Sequence, residues 1–585
     1  MMGKSPTPEQ CSQCIDAAIA RLRHFSQWNA QKSWLRWDGD LPPDQACNPD
    51  TWTDWQPAEL NNLGYIDWPK GRQTLWLGQL FRMRRSLFEY PLQGLTVRLA
   101  LRWWAEKAEI YVNGTLVQEG DLFDCAARVV LTECLDPGEE IAVAIRLVSP
   151  GHDIGALVQS TGVYEPSLPQ GGATPRIDPG MVASELEVLK IYLEAFQPEA
   201  LKQVVDAFQE LAWPYHHPLA EFEQDLHNLR LKLQPWGEWL KQRQICWIGH
   251  AHLDLAWLWP VAETWNAAER TFVSVLNLQK DFAELTFCHS SPALYDWIEQ
   301  HRPALFAQIQ QRIAEGRWEV TAGLWVEPEL NLISGESIVR QVLYGQRYTQ
   351  ERFGQISRVA WLPDSFGFCS QLPQIFKQGG IDYFLTQKLR WNDTTQFPHE
   401  VFWWEAPDGT CLLSIMTPPI GEAMDPVKMS RYAQDWEAKT GYTESLWLPG
   451  VGDHGGGPTR DMLEVGWRWQ QSPLFPRLTS GTMTEFCQRV ETNLPNVPIW
   501  SDELYLEFHR GCYTAHADQK RYNRRCEHLL TEAEMFSAIA TLLTQAPYPK
   551  ETLEQAWKKM LFNQFHDILP GSSIPDVFTD ANQDW

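Results

Sequence analysis

With 585 residues, 44% hydrophobic and 21% charged, the chain has an ordinary globular composition and is too long for one core, so about three domains are expected. A formal net charge of -25 excludes nucleic acid and anionic membrane surfaces as partners, since either needs a basic face. No window approaches the roughly 18 apolar residues of a membrane span. The polar start Met1-Met2-Gly3-Lys4-Ser5-Pro6 has no apolar signal core, so a cytoplasmic location with the twelve cysteines reduced is expected.

Near the N-terminus, Cys11-Ser12-Gln13-Cys14 lacks a second pair at zinc-ribbon spacing and reads as coincidence. From about Trp52 to Pro166 the texture is strand-like: Ile141, Val143, Ile145 and Leu147 alternate, and an Asn113-Gly114 turn marks a hairpin. Such strands predict a β-sandwich, which with the Pro- and Gly-rich linker Ser167 to Gly180 fills 1–180. Apolar residues at three and four spacing predict helices near Ala183–Leu211 and Leu219–Gln242, a connector over 181–243. Beyond Gln244, short apolar strands alternate with helical segments, the pattern of parallel βαβ units over 244–512. Polar residues follow these strands, namely His252, His289, Glu327, Asp364, Gln387 and Asp453, and in barrels and open sheets alike the carboxyl ends of strands carry the active site. Helices return over 513–585, most clearly in Lys520–Leu543 and Glu551–Phe565.

Four segments hold the candidate chemistry. His250-Ala251-His252-Leu253-Asp254 follows an apolar strand, and its imidazoles and carboxylate project at a spacing of two toward one side. That donor set suits a zinc-like divalent ion; hydrogen-bonded histidines capping a strand are the alternative. Trp257 and Trp259 stand beside it, as an amphipathic ligand such as a sugar would require. Asp364, in Trp361-Leu362-Pro363-Asp364-Ser365-Phe366-Gly367, is either a site carboxylate or a turn residue. Asp453 precedes His454-Gly455-Gly456-Gly457, where glycines permit close backbone approach to a ligand, yet the lysine of a P-loop is missing. Asn563-Gln564-Phe565-His566-Asp567 ends a helix with two ionisable groups side by side.

Taken together, His252-Leu253-Asp254-Leu255-Ala256-Trp257-Leu258-Trp259-Pro260, the Asp364 and Asp453 segments, Glu503-Leu504-Tyr505-Leu506-Glu507-Phe508-His509-Arg510-Gly511 and the His566 segment resemble, in order, glycoside hydrolase family 38, the α-mannosidases, and its cytosolic and vacuolar branch in particular. The resemblance implies a multidomain fold: an N-terminal β-sandwich, a central barrel-like α/β (β/α)7 catalytic domain, and a C-terminal helical bundle that is incomplete. It implies that His252, Asp254, Asp364 and His566 bind one zinc ion, with cobalt an alternative, that Asp364 is also the nucleophile, that Asp453 is the acid/base and that Trp257 packs against the sugar ring. His250 falls outside this set and is expected to orient a neighbour, and His454 departs from the branch's usual glycine. The implied reaction is hydrolysis of terminal α-D-mannosyl residues of oligosaccharides with retention, for which the two carboxyl groups should lie about 5 to 5.5 Å apart.

Two other functions fit parts of the pattern. A metal-dependent polysaccharide deacetylase also uses an Asp and two His, but needs no carboxylate nucleophile beside the metal. A non-catalytic carbohydrate-binding fragment is the other, because the family's C-terminal β domains are missing after Val577. Their absence predicts exposed apolar helix faces and a need for a separate C-terminal β-domain polypeptide or self-association as a homo-oligomer.

Overall fold

The computed structural model describes residues 6–121, 125–151, 153–166, 178–209, 211, 213, 219–321, 323–452 and 455–585. The expected linker therefore lies largely outside the described residues, as do Asp453 and His454. Two compact units form: one takes Met1–Arg243 with Pro426–Gln434 and Arg468–Arg477, the other takes Gln244–Asp425, Asp435–Trp467 and Leu478–Trp585.

The first unit contains two antiparallel sheets. One joins Gln27–Asn29, Gly155–Pro166, Leu95–Trp104 and Ala126–Thr132, with Ile66–Trp68 added to Gly155–Pro166; the other orders Thr115–Gly120, Lys107–Val112, Glu140–Val148, Thr74–Arg82, Leu35–Asp38 and Gln56–Pro57. Ile141, Val143, Ile145 and Leu147 are buried as their alternation requires, while Ala142 and Ala144 on the opposite face pack against Trp52, Trp76 and Tyr111. The hairpin turns at Asn113 and Gly114, both at positive φ (49° and 80°), as the twist of paired strands demands. A helix over Pro8–Arg23, closed by a Thr7/Gln10 capping box, is one the sequence reading passed over. The connector becomes Pro179–Phe196, Leu201–Phe208, Leu219–Lys232 and Gln234–Leu240.

In the second unit, stretches paired in parallel among the described residues include Gln244–Trp247 continuing into Gly249–His250, then Phe287–His289, Trp318–Val320, Val359–Trp361, Tyr383–Thr386, Cys411–Met416 and Glu444–Trp447. Among the described residues the pairing falls into sheets of three, three and five strands and a two-stranded pair of Gly367–Phe368 with Leu504–Tyr505; in the five-stranded sheet Val401–Glu405 lies antiparallel to Cys411–Met416 and parallel to Ile499–Trp500. Trp361 N–H donates to Thr321 O at 2.8 Å between two of these groups. The helices Ala517–Thr544, Lys550–Asn563 and Pro575–Asp584 belong to this unit: Trp557, Met560, Leu561 and Phe565 share a buried cluster with Leu294, Tyr295 and Trp325. The C-terminal half of Ala517–Thr544 exposes apolar side chains, with Phe536 62% and Leu543 78% exposed.

Close approach makes one helical glycine indispensable. A Cβ on Gly345, within Gly335–Phe353, would stand 2.4 Å from the backbone carbon of Leu324. Gly345→Ala should therefore lower the urea midpoint, since overpacking of about 1–3 kcal/mol outweighs a helix-propensity gain of about 1 kcal/mol; an unchanged or higher midpoint would contradict the packing.

A second prediction concerns pH. Asp178 caps Pro179–Phe196 by accepting from Met181 N at 2.9 Å, and burial pushes its carboxyl up to about 6 from 3.8. Its proton thus favours the folded state fully below pH 4, and this stabilisation is lost as pH rises through 6. Asp178→Asn keeps a cap acceptor without the charge, and should raise stability at pH 8 by about 1–3 kcal/mol with no gain at pH 3.5; equal effects at both pH values in thermal melts would refute the assignment.

Candidate metal and sugar site

The residues singled out at the strand ends converge. His252, Asp254, Asp364 and His566 each present a ligand-type atom, and these atoms lie within 4.8 Å of one another. Asp254 Oδ1 is the hub, 3.0 Å from His252 Nε2 and 3.0 Å from His566 Nε2. Asp364 Oδ2 lies 4.0 Å from His252 Nε2 and 3.7 Å from His566 Nε2. The imidazole planes are nearly parallel, inclined by 16°. His566 arrives from the far end of the chain because Phe565 forms an antiparallel bridge with Pro328, with His566 N–H donating to Glu327 O at 3.1 Å and Glu329 N–H to Gln564 O at 2.9 Å.

Charge and burial shape this cluster. All but Asp364 are buried. Burial opposes ionisation of Asp254, yet His252 and His566 hold it well below the usual carboxylate range. His252 is driven upward because Asp254 and Glu327 outweigh burial, and His566 is pushed up to about 9 against burial, through its hydrogen bond to Asp254 and the nearby Asp567. Asp567 is itself pushed up to about 7 by burial and then by Asp254. Oxygen and imidazole donors crowded in this way are a donor set that fits a divalent ion.

His250 stands apart from these four. Its Nε2 accepts the indole N–H of Trp361 at 2.8 Å, and burial, followed by His252, lowers its basicity far below normal. It thereby braces the strand end that leads to Asp364.

A cavity of about 310 Å³ opens over the cluster, lined by Asp254, Asp364 and Trp257 together with Phe366, Lys388, Trp391, Gly452, His509 and Asp567. That volume is at the small-molecule end of binding sites. Trp257 is half-buried, its ring 6.1 Å from that of Trp259 and inclined at 75°. Lys388, one residue beyond the strand-end Gln387, bonds Asp364 Oδ1 with its ammonium and lies 4.1 Å from the Trp391 ring centre. The sequence reading stopped at Gln387 and missed this lysine, although it stands at the carboxyl end of Tyr383–Thr386 where functional groups were sought. His509, lowered to about 4 by burial and the charge of Lys388, faces Phe366 at 4.3 Å. Asp453 lies outside the described residues, but Gly452 lines the cavity and Gly455 N–H donates to His252 O at 2.9 Å.

Strand-end carboxylates and imidazoles under an aromatic-lined cavity make a candidate metal and sugar site on an α/β unit, and the comparisons supply the family. Residues 242–503 match the family described as "Glycosyl hydrolases family 38 N-terminal domain", and residues 507–585 match "Alpha mannosidase middle domain". Residues 242–503 and 507–585 thus carry the N-terminal and middle domains of glycoside hydrolase family 38. It is 38% identical over 340 residues to Alpha-mannosidase 2C1 of Homo sapiens, covering 57% of this chain and 32% of that protein. It is 37% identical over 361 residues to Alpha-mannosidase of Saccharomyces cerevisiae, covering 59% and 33%. Among solved structures, an alpha-mannosidase from Enterococcus faecalis aligns with a TM-score of 0.51 at 21% identity, covering 58% of this chain and 40% of that one, a likeness of fold. The chain spans about a third of the length of the curated relatives it matches.

If the four residues bind a cation, zinc should stabilise the fold by about 2.7 kcal/mol at one hundred times its dissociation constant. The shift should vanish in His566→Ala, which removes a donor. Identical melting of the wild-type chain with zinc and with chelator would argue against the site.

Proposed function

We propose that this chain carries the catalytic site of a retaining α-mannosidase that releases terminal α-D-mannosyl residues from oligosaccharides, with one zinc ion, or cobalt in its place, held by His252, Asp254, Asp364 and His566. The observation that carries the reading is the divided carboxylate of Asp364: Oδ2 faces both imidazoles, Oδ1 faces Lys388, and the side chain borders the cavity that Trp257 also lines. A barrel-like ring of seven strands is the matching fold, supported by the Trp361-to-Thr321 hydrogen bond and a parallel bridge between Glu422 and Pro449.

When bound, the ion supplies Lewis acidity toward the adjacent C2 and C3 hydroxyls of mannose. Trp257 offers an apolar face to the ring. Asp364 attacks the anomeric carbon as the bond to the leaving oxygen breaks, and Lys388 keeps the attacking carboxylate oriented through its Oδ1. Asp453 gives its proton to the leaving oxygen and afterwards takes one from the water that displaces Asp364, so the anomeric configuration is retained. Its acid/base role is supported by the cavity-lining position of the adjacent Gly452.

Asp364 and His566 in the donor cluster favour this chemistry over amide hydrolysis by a deacetylase. Cytoplasmic placement accords with twelve free cysteines, several buried, among them Cys246, which burial pushes up to about 12. The exposed apolar side chains of Ala517–Thr544 support a covering partner, either a β-domain polypeptide or a second copy.

Hydrolysis of a chromogenic α-mannoside should be abolished by chelation, restored by zinc, and reduced by roughly 10³-fold or more in Asp364→Ala, with α-mannose as the first product by proton NMR. Chelator-insensitive turnover would falsify the metal assignment, and β-mannose as the first product would exclude the nucleophile. A chain that binds mannosides yet never turns them over under any metal would point to a binding fragment.

A further inference from the structure

His252 and His566 both turn Nε2 inward, and both turn Nδ1 toward one residue, Glu327. Its Oε1 lies 3.7 Å from His252 Nδ1, its Oε2 lies 4.0 Å from His566 Nδ1, and its main-chain oxygen is 3.1 Å from His566 Nδ1. A carbonyl oxygen can only accept, so His566 Nδ1 carries a proton, and Nε2 is the nitrogen left to exchange its proton for a cation. For His252 the same division requires an acceptor on the Nδ1 side, and the Glu327 carboxylate is the group that faces it.

The carboxylate has little else to do. Its side chain is 2% exposed, Ser290 Oγ donates to Oε1 at 2.7 Å, and Oε2 is buried without a hydrogen-bond partner. An unsatisfied buried carboxylate oxygen is costly, and a hydroxyl on the other oxygen does not repay it. The imidazole N–H groups on that side, His252 Nδ1 nearest Oε1 and His566 Nδ1 nearest Oε2, are the donors that a small approach would bring to it. The backbone is equally committed, because the Pro328 to Phe565 bridge fixes the main chain on either side of the contact.

We propose that Glu327 is a positioning residue shared by both histidines: with side chain toward His252 and main chain toward His566, it holds each in the tautomer and ring orientation that aims Nε2 at a cation. This rests on the metal reading above. A glutamine of the same shape would keep an oxygen for Ser290 and His252 only by turning its NH2 toward His566 Nδ1–H, and it removes the negative charge that faces both imidazoles.

The test is titration of the full metal-free chain with Co(II), read by its visible absorption, and with Zn(II) by calorimetry, for wild type, Glu327→Gln and Glu327→Asp. Thermal melts without metal accompany each. Glu327→Gln should bind either ion about 10- to 100-fold more weakly, with a shifted Co(II) spectrum and a metal-free melting temperature no lower than wild type. Glu327→Asp should recover part of the affinity. If Glu327→Gln fails to fold, Ser290→Ala, which releases Oε1, is read in the same titration and should weaken binding several-fold. Wild-type affinity and spectrum in Glu327→Gln, or in Ser290→Ala where that variant is the one read, overturn the positioning role while leaving the metal reading intact. Absence of binding by the wild-type chain overturns both.

Discussion

The crowding of ionisable groups around Asp254 is the constraint to which this site answers. Two imidazoles and two carboxylates have ligand-type atoms within 4.8 Å of each other, where like charges repel strongly and burial penalises each ion. The arrangement persists because every member is held from outside the cluster. Lys388 takes one oxygen of Asp364, Trp259 N–H and Thr264 Oγ–H anchor the main-chain oxygen of Asp254 at 3.3 and 3.2 Å, and Glu327 stands behind both imidazoles. Remove the surroundings and the four donors would splay apart or neutralise.

Topology turns this local demand into a fold-level one. Parallel strands deliver their carboxyl ends to one place, and three of them supply His252 and Asp254, Asp364, and Lys388. The fourth direction is not a strand at all: His566 follows the helix Lys550–Asn563, whose Trp557, Met560 and Leu561 sink into the same apolar cluster as Leu294 and Tyr295. Hydrophobic packing of that helix is therefore what fixes an imidazole at the site, so a core substitution there is felt at the metal-type donors.

Much of this was legible in the sequence, and the reasons differ by residue. The strands ending in His252, Asp364 and Gln387 were readable because each is a short apolar run that stops abruptly at polar residues, and the Asn113-Gly114 hairpin because its turn chemistry is specific. His566 was legible only through family resemblance, since no periodicity links a helix end to a strand hundreds of residues away. Lys388 escaped because a lysine next to a loop ordinarily signals solvent, whereas here it is 2% exposed and paired with a carboxylate. Glu327 was noted as a strand-end residue without a role, because its function depends on two imidazole orientations that only coordinates reveal. The helix Pro8–Arg23 was overlooked although Thr7 and Gln10 spell a capping box.

The 312 residues between Asp254 and His566 also have a meaning in time. On a ribosome adding about 5–20 residues per second, His252, Asp254 and later Asp364 emerge first, and their last companion follows Asp254 after about 15–60 s. Through that interval the parallel strands can pair as they emerge, but the nascent chain presents two of the four donors until Asp364 is made and three thereafter. If the cluster binds a cation, one captured during synthesis would be held loosely until the closing helix docks. The order of the chain thus brings the last core helix and the imidazole of His566 together, as the final stitch.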